Sequence, residues 1–239
     1  ASFSWTHTPV GTPAGVVVFV VTFNDATPQD TGVTYGGASM TKSTLTAFDN
    51  VTEPGSITAY YLGSSVPSGA QSVVVSRNNN VRTLYAVAYT VTAAADIEIY
   101  DAGGIAESND QALTQESPSD GSPGTNSIRF CGLFSGRGTL PTIGADSTQG
   151  PSIDIGSQLA STCYETVPGQ GSRSVGFDTF GAPDDVAAIY FAVREVASSG
   201  YTLTAEAGPF TLTGTAASPK AARKLTADIR SYTLTGQDA

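Results

Sequence analysis

The sequence predicts an all-β protein: an antiparallel, jelly-roll-like β-sandwich with a C-terminal β-hairpin repeat appendage. Three observations carry that reading. Charged residues make up only 13% of the 239 positions, about half the usual quarter. Gly, Ser, Thr, Ala and Asn fill the gap, whereas helix surfaces are ordinarily built from Glu, Lys and Arg. Short β-branched and aromatic runs recur between turn residues, and no amphipathic stretch of more than two helical turns joins them. Strands without crossover helices pair antiparallel.

The elements follow in order. GVVVFVVTF, at 15–23, has seven apolar residues in nine, five of them Val. Its length and β-branching predict a strand, and its apolar character throughout predicts cover on both faces. VTYGGASMT, at 33–41, reads strand, Gly-Gly turn, strand. ITAYYL at 57–62 is a further strand, and SVVVS lies within 71–77. Asn78, Asn79 and Asn80 then tolerate left-handed turn geometry. The run at 81–91 is expected to return as the second arm of a hairpin, and 97–100 follows. The stretch 102–125, rich in Ser, Asp, Gly and Pro, reads as a long exposed loop. Strands resume at 127–134, near 153–155, and at 159–166, 175–180 and 186–193. A sandwich suits the doubly apolar Val runs better than a barrel.

The expected domain boundary divides 1–197, the sandwich body, from 198–239. Past it the texture becomes strict alternation. LTAEAGPFTLTGTAA at 203–217 is rewritten 22 residues later as LTADIRSYTLTGQDA, with 8 of 15 positions identical. In a strand the aromatic and Leu side chains share one face and the Thr hydroxyls the other. A lone hairpin is barely stable in water, and a repeat unit that cannot bury its own apolar face needs a neighbour. Phe210, Leu212, Tyr232 and Leu234 are therefore the candidate assembly contacts.

Net charge is −10. Residues 1–197 hold 7 basic and 18 acidic side chains, while the tail is +1. The body should repel nucleic acid and anionic membrane, and no apolar run is long enough for a transmembrane helix. The opening Ala1-Ser2-Phe3 shows no signal-peptide pattern, as expected of a chain made in the cytoplasm with its Met removed, or of a trimmed one. Cys131 and Cys163 fall in expected strands. A disulfide and two buried thiols fit them equally.

Catalytic chemistry has few candidates. The one histidine, His7, stands near the N-terminus, a poor place for a preorganised base. Gly169-Gln170-Gly171 lacks the strand-to-helix setting of a dinucleotide site and reads as a turn. The acids Asp101, Glu107, Asp110, Glu116, Asp120, Asp184 and Asp185 read first as solvated surface. Calcium is the ligand they would take otherwise, since hard cations favour carboxylates and carbonyls. No catalytic, cofactor or metal residue is assigned. Asn50-Val51-Thr52 matches a glycosylation acceptor. Tyr60, Tyr61, Tyr85, Tyr89, Tyr190 and Phe191 read as core before sugar platform.

Four phrases together resemble a β-sandwich domain of tailed-bacteriophage virion proteins and bacterial surface proteins. They are VTYGGASMT, AYYLGSSVPSGAQSVVVS, LYAVAYTV and VAAIYFAV, and the tail phrase YTLTG resembles short repeats appended to phage structural proteins. The likeness covers about 10–95 and 185–239. It implies a non-enzymatic virion structural protein, a capsid-decoration or head-fibre component, made in the host cytoplasm and located in the virion. Its partners would be other copies of itself, in a homo-oligomer, and other virion proteins. A carbohydrate-binding or adhesion module that meets a surface glycan is the alternative.

Overall fold

A strand that is apolar on successive residues sends side chains to both faces, so it needs two covers. All nine residues of β2 (Gly15–Phe23) are buried. The computed structural model describes residues 1–48, 53–78, 82–93, 96–111, 127–165, 175–178 and 184–196. In it β2 lies in the middle one of three stacked antiparallel sheets.

The middle sheet runs in the order β5 (Thr41–Phe48), β6 (Gly55–Leu62), β2, β8 (Leu84–Val91). On one side lies an outer sheet ordered β1 (Ser2–His7), β7 (Gln71–Arg77), β3 (Asp30–Tyr35), β4 (Ala38–Ser39). Val16, Val18 and Val20 meet Val33, Tyr35, Val73 and Val75 there. On the other side lies a five-stranded sheet. Its order is β11 (Ser147–Asp154), β12 (Leu159–Glu165), β10 (Ser127–Ser135), β13 (Asp184–Glu195), β9 (Ile97–Gln111). Val17, Phe19, Val21 and Phe23 meet Phe130, Phe134, Ala187, Ile189 and Val193 there. The odd and even residues of one strand thus seed two different cores.

The far face of the five-stranded sheet is also covered. Cys131, Leu133, Cys163, Val186 and Ala188 pack against Val175, Phe177 and Ile143. A single antiparallel bridge, Ile143 to Phe177, ties the covering segments together. Backbone bonds from Gly144 N to Gly176 O (2.8 Å) and Asp178 N to Thr142 O (2.9 Å) flank it.

The all-β antiparallel sandwich expected from the sequence is what these residues form. The Gly-Gly turn is present, joining β3 to β4 with φ of 55° at Gly36 and 86° at Gly37. Positive φ at both central residues is what a tight type I′ hairpin requires.

Three expectations are corrected. The strands at 71–77 and 84–91 are not a hairpin: β7 pairs with β1 and β3, whereas β8 pairs with β2. Each has an apolar face suited to a different layer, so the connection between them crosses from the outer to the middle sheet. The long loop expected from 102 is strand as far as Gln111, because β13 supplies the ladder. Gly103 and Gly104 stand opposite Tyr190 and Ile189, and sheet pairing overrides a composition poor in β-formers. The strand expected at 175–180 contributes one bridge within its described residues. The tail, 198–239, with its expected hairpins, lies outside the described residues.

Close approach of the middle and five-stranded sheets depends on Gly132. A Cβ there would lie 2.6 Å from Phe19 Cδ1 and 2.8 Å from Ile57 Cδ1, and both neighbours are fully buried. Gly132→Val is expected to cost roughly 1–3 kcal/mol through overpacking. Thermal unfolding should then show a Tm lower by roughly 3–10 °C. An unchanged Tm would mean that the two sheets yield freely at this point.

Candidate functional site

His7 ends β1, at the rim of the outer sheet. Its Nε2 lies 2.7 Å from Thr90 Oγ1 on β8, and its ring stands edge-on to Tyr35 at 6.0 Å. Burial pulls its pKa below the ordinary 6.5. The imidazole therefore pins the outer sheet to the middle one, and its hydrogen-bond partner is a hydroxyl rather than the carboxylate that would orient a general base.

Asp185 is buried at the start of β13, and its carbonyl accepts from Gly136 N at 2.7 Å. Asp101, Glu107 and Asp110 belong to β9 and Asp184 to β13. Glu116, Asp120, Asn50-Val51-Thr52 and Gly169-Gln170-Gly171 lie outside the described residues. Among the described residues no three His, Cys, Asp or Glu side chains gather as a metal group, and no helix is long and apolar enough to cross a membrane.

The tyrosines go chiefly to packing. Tyr89 sits among Phe130, Tyr164 and Phe19 at ring distances of 5.5, 5.7 and 6.4 Å. Its hydroxyl meets Thr162 Oγ1 at 2.5 Å, and burial drives its pKa upward. Tyr60 is buried between the outer and middle sheets, where its hydroxyl donates to Asp30 Oδ2. Thr58 Oγ1 donates to the other oxygen of that carboxylate at 3.2 Å. Burial first, then the hydrogen bond and the negative charge of Asp30, raise the Tyr60 pKa. This trio joins two sheets and is closed to solvent.

A second buried polar group was not legible in the sequence. Arg129 on β10 and Glu165 at the end of β12 form an ion pair at 2.7 Å, with side-chain exposures of 1% and 0%. Glu165 Oε2 also accepts from the Arg129 backbone N–H at 3.1 Å. The residues are 36 positions apart, and only the β10–β12 pairing brings them together.

Two open surfaces remain among the described residues. The first is the solvent side of the outer sheet. Ser2, Ser4 and Thr6 of β1 point outward and are exposed, while Phe3, Trp5 and His7 point toward the middle sheet. The strand register sets Ser2 beside Ser76 and Gly32, Ser4 beside Val74 and Thr34, and Thr6 beside Ser72. Ser39 extends the row from Thr34. Directly opposed residues share a face, so the result is a flat patch of small, mostly hydroxylated side chains without a charge. This patch is not among the features expected from the sequence, although the period-two spelling SFSWTH carries its signal. The second surface is a groove of about 400 Å³ where β8, β9, β10 and β13 end, lined by Thr90, Thr92, Ile97, Ile128 and Arg194. Arg194 Nε bonds Glu98 Oε1 at 2.8 Å nearby.

Phe210, Leu212, Tyr232 and Leu234, the expected assembly contacts, lie outside the described residues. Comparison with protein-family models, with curated proteins and with solved structures finds no match to this chain.

Two outcomes are expected. Because the folded-state pKa of His7 is lowered, the native state binds its proton less readily than the unfolded chain. Stability is then held above the unfolded value of about 6.5 and falls as pH drops through it. Between pH 7.5 and 5.5 the native chain should lose more stability than His7→Gln, and identical slopes in denaturant titrations would contradict this. Glu165→Ala removes a carboxylate from a fully buried guanidinium. Urea unfolding should show a loss of roughly 3–5 kcal/mol, and Arg129→Met with Glu165→Leu should lose much less.

Proposed function

We propose that this chain is a non-enzymatic structural protein of a tailed-bacteriophage virion, a capsid-decoration or head-fibre component. It works by burying surface against other copies of itself and other virion proteins, and its place is the virion. The observation that carries this reading is the twice-written phrase at 203–217 and 225–239. Within the described residues, β1 has the same spelling, with aromatic and hydroxyl side chains alternating. Its aromatic positions turn inward and its hydroxyls outward. Written in a strand, the repeated phrase would turn its aromatic and leucine side chains to one face in the same way.

The neutral hydroxyl patch of the outer sheet supports the same reading. A molecule of net charge −10 meets another copy with least repulsion where a surface carries no charge. A standard interface of about 1,600 Å² suffices when its centre holds aromatic anchors, and Phe210 and Tyr232 are the anchors proposed, with Leu212 and Leu234 beside them.

The groove favours one second reading, a carbohydrate-binding or adhesion module. Its volume of about 400 Å³ falls in the range of small-ligand sites, and Thr92, Ser127, Arg194 and Glu195 are among the residues that line it. Retention on a glycan column, or a calcium-dependent shift in melting, would support that reading over the first.

Phe210→Ala combined with Tyr232→Ala is expected to leave the Tm of the protein within about 2 °C. Two lost anchors of about 2 kcal/mol each weaken assembly by roughly a thousandfold. Light scattering of the purified chain and incorporation into particles both read this, and normal mass and incorporation of the double variant would sink the proposal.

A further inference from the structure

The chain contains two cysteines, and the fold sets them face to face. Cys131 on β10 and Cys163 on β12 are direct partners in the antiparallel register. Both belong to the cluster on the far face of the five-stranded sheet, at 1% and 0% exposure. Residues directly opposed in such a ladder stand about 4.5–5.5 Å apart at Cα. A disulfide spans about 4.4–6.8 Å at Cα and about 3.5–4.5 Å at Cβ. The ladder therefore already holds the Cα atoms in range, and opposed Cβ atoms, about 4.5–5.5 Å apart, have roughly 1 Å to close. Both sulfurs are free thiols in this structure, and Cys131 Sγ points to the carbonyl of Val175, at 3.8 Å, in the covering segment.

We infer that Cys131 and Cys163 are a cross-strand dithiol that closes to an intramolecular disulfide when the protein meets a disulfide oxidant of the oxidised-glutathione class. The thiolate of one cysteine attacks the S–S bond of the oxidant, forming a mixed disulfide and releasing one small thiol. The thiolate of the second cysteine then attacks the protein sulfur of that mixed disulfide and releases the other small thiol. The protein loses two electrons and two protons, and one oxidant becomes two thiols. Because neither sulfur reaches solvent, exchange occurs as the segment carrying Val175 and Phe177 opens, or before it closes during folding. Two sulfurs under the same cover are placed to pair with each other rather than with another molecule. The bond would lock the inner strands β10 and β12 together beside the Arg129–Glu165 pair. This inference does not rest on the proposed function.

The test uses the full chain, held natively in glutathione buffers of graded ratio and also refolded from denaturant in them. Thiols titrated after denaturation should fall from two to zero. The intact mass should drop by two hydrogens, and a peptide map should show Cys131 joined to Cys163. The oxidised form should melt roughly 5–15 °C above the reduced one, and the melting of Cys131→Ala should not respond to the buffer ratio. Should that variant fail to fold, the peptide map and paired melts of the native chain decide. Two thiols persisting by both routes, glutathione adducts or chain-to-chain dimers as the main product, or a disulfide that lowers the Tm would each overturn the inference.

Discussion

The structure depends on the two-sided burial of β2. Five valines and two phenylalanines in nine residues cannot be satisfied by one cover, since the pleat sends alternate side chains to opposite faces. Val16, Val18 and Val20 require one sheet and Val17, Phe19, Val21 and Phe23 another. The outer and five-stranded sheets are those covers. A polar residue at any of these positions would leave an unpaired group between two layers. The outer sheet, by contrast, has only one face to bury and is free to spell its other face in serine and threonine. The hydroxyl patch follows from its place in the stack.

Apolar layers slide unless something fixes their register, because a shift of one residue exchanges every inward side chain for an outward one. Two buried polar groups act against such slippage. The Asp30 carboxylate accepts from Thr58 and Tyr60 across the outer interface, and a displaced strand would strand a charge in the core. On the far face, Arg129 and Glu165 do the same between β10 and β12. Desolvating such a pair nearly offsets its attraction, so its value lies more in which pairing it permits than in net stability.

Much of this architecture was legible in the sequence, and the failures are informative. β2, the Gly36-Gly37 hairpin and the strands β10, β12 and β13 are spelled by local pattern and turn chemistry. The crossing from β7 to β8 was misread because partner choice between two Val-rich strands is a tertiary decision that no local signal records. β9 was misread because its ladder is imposed by β13 on a segment containing Ala102, Gly103, Gly104 and Ala106. Of the candidate residues, the tyrosines were read as core and Tyr60 and Tyr89 are there. His7 was dismissed as a base and is an inter-sheet tether. The ion pair of residues 129 and 165 and the opposition of Cys131 to Cys163 were hidden because both arise from β10–β12 pairing alone.

A surface built for contact must be cheap to desolvate and still specific. The outer patch meets the first demand: serine and threonine lose little side-chain entropy on burial, and no charge is stripped of water there. It does not meet the second, since flat hydroxyl faces lack the aromatic anchors that dominate interface energies. In the proposed role the two properties are divided along the chain. The sandwich supplies a neutral, low-cost surface, and the repeated phrases at 203–217 and 225–239 supply the aromatic side chains that make contact selective. Because the tail carries a net charge of +1, its anchors add no negative charge to a contact between acidic bodies.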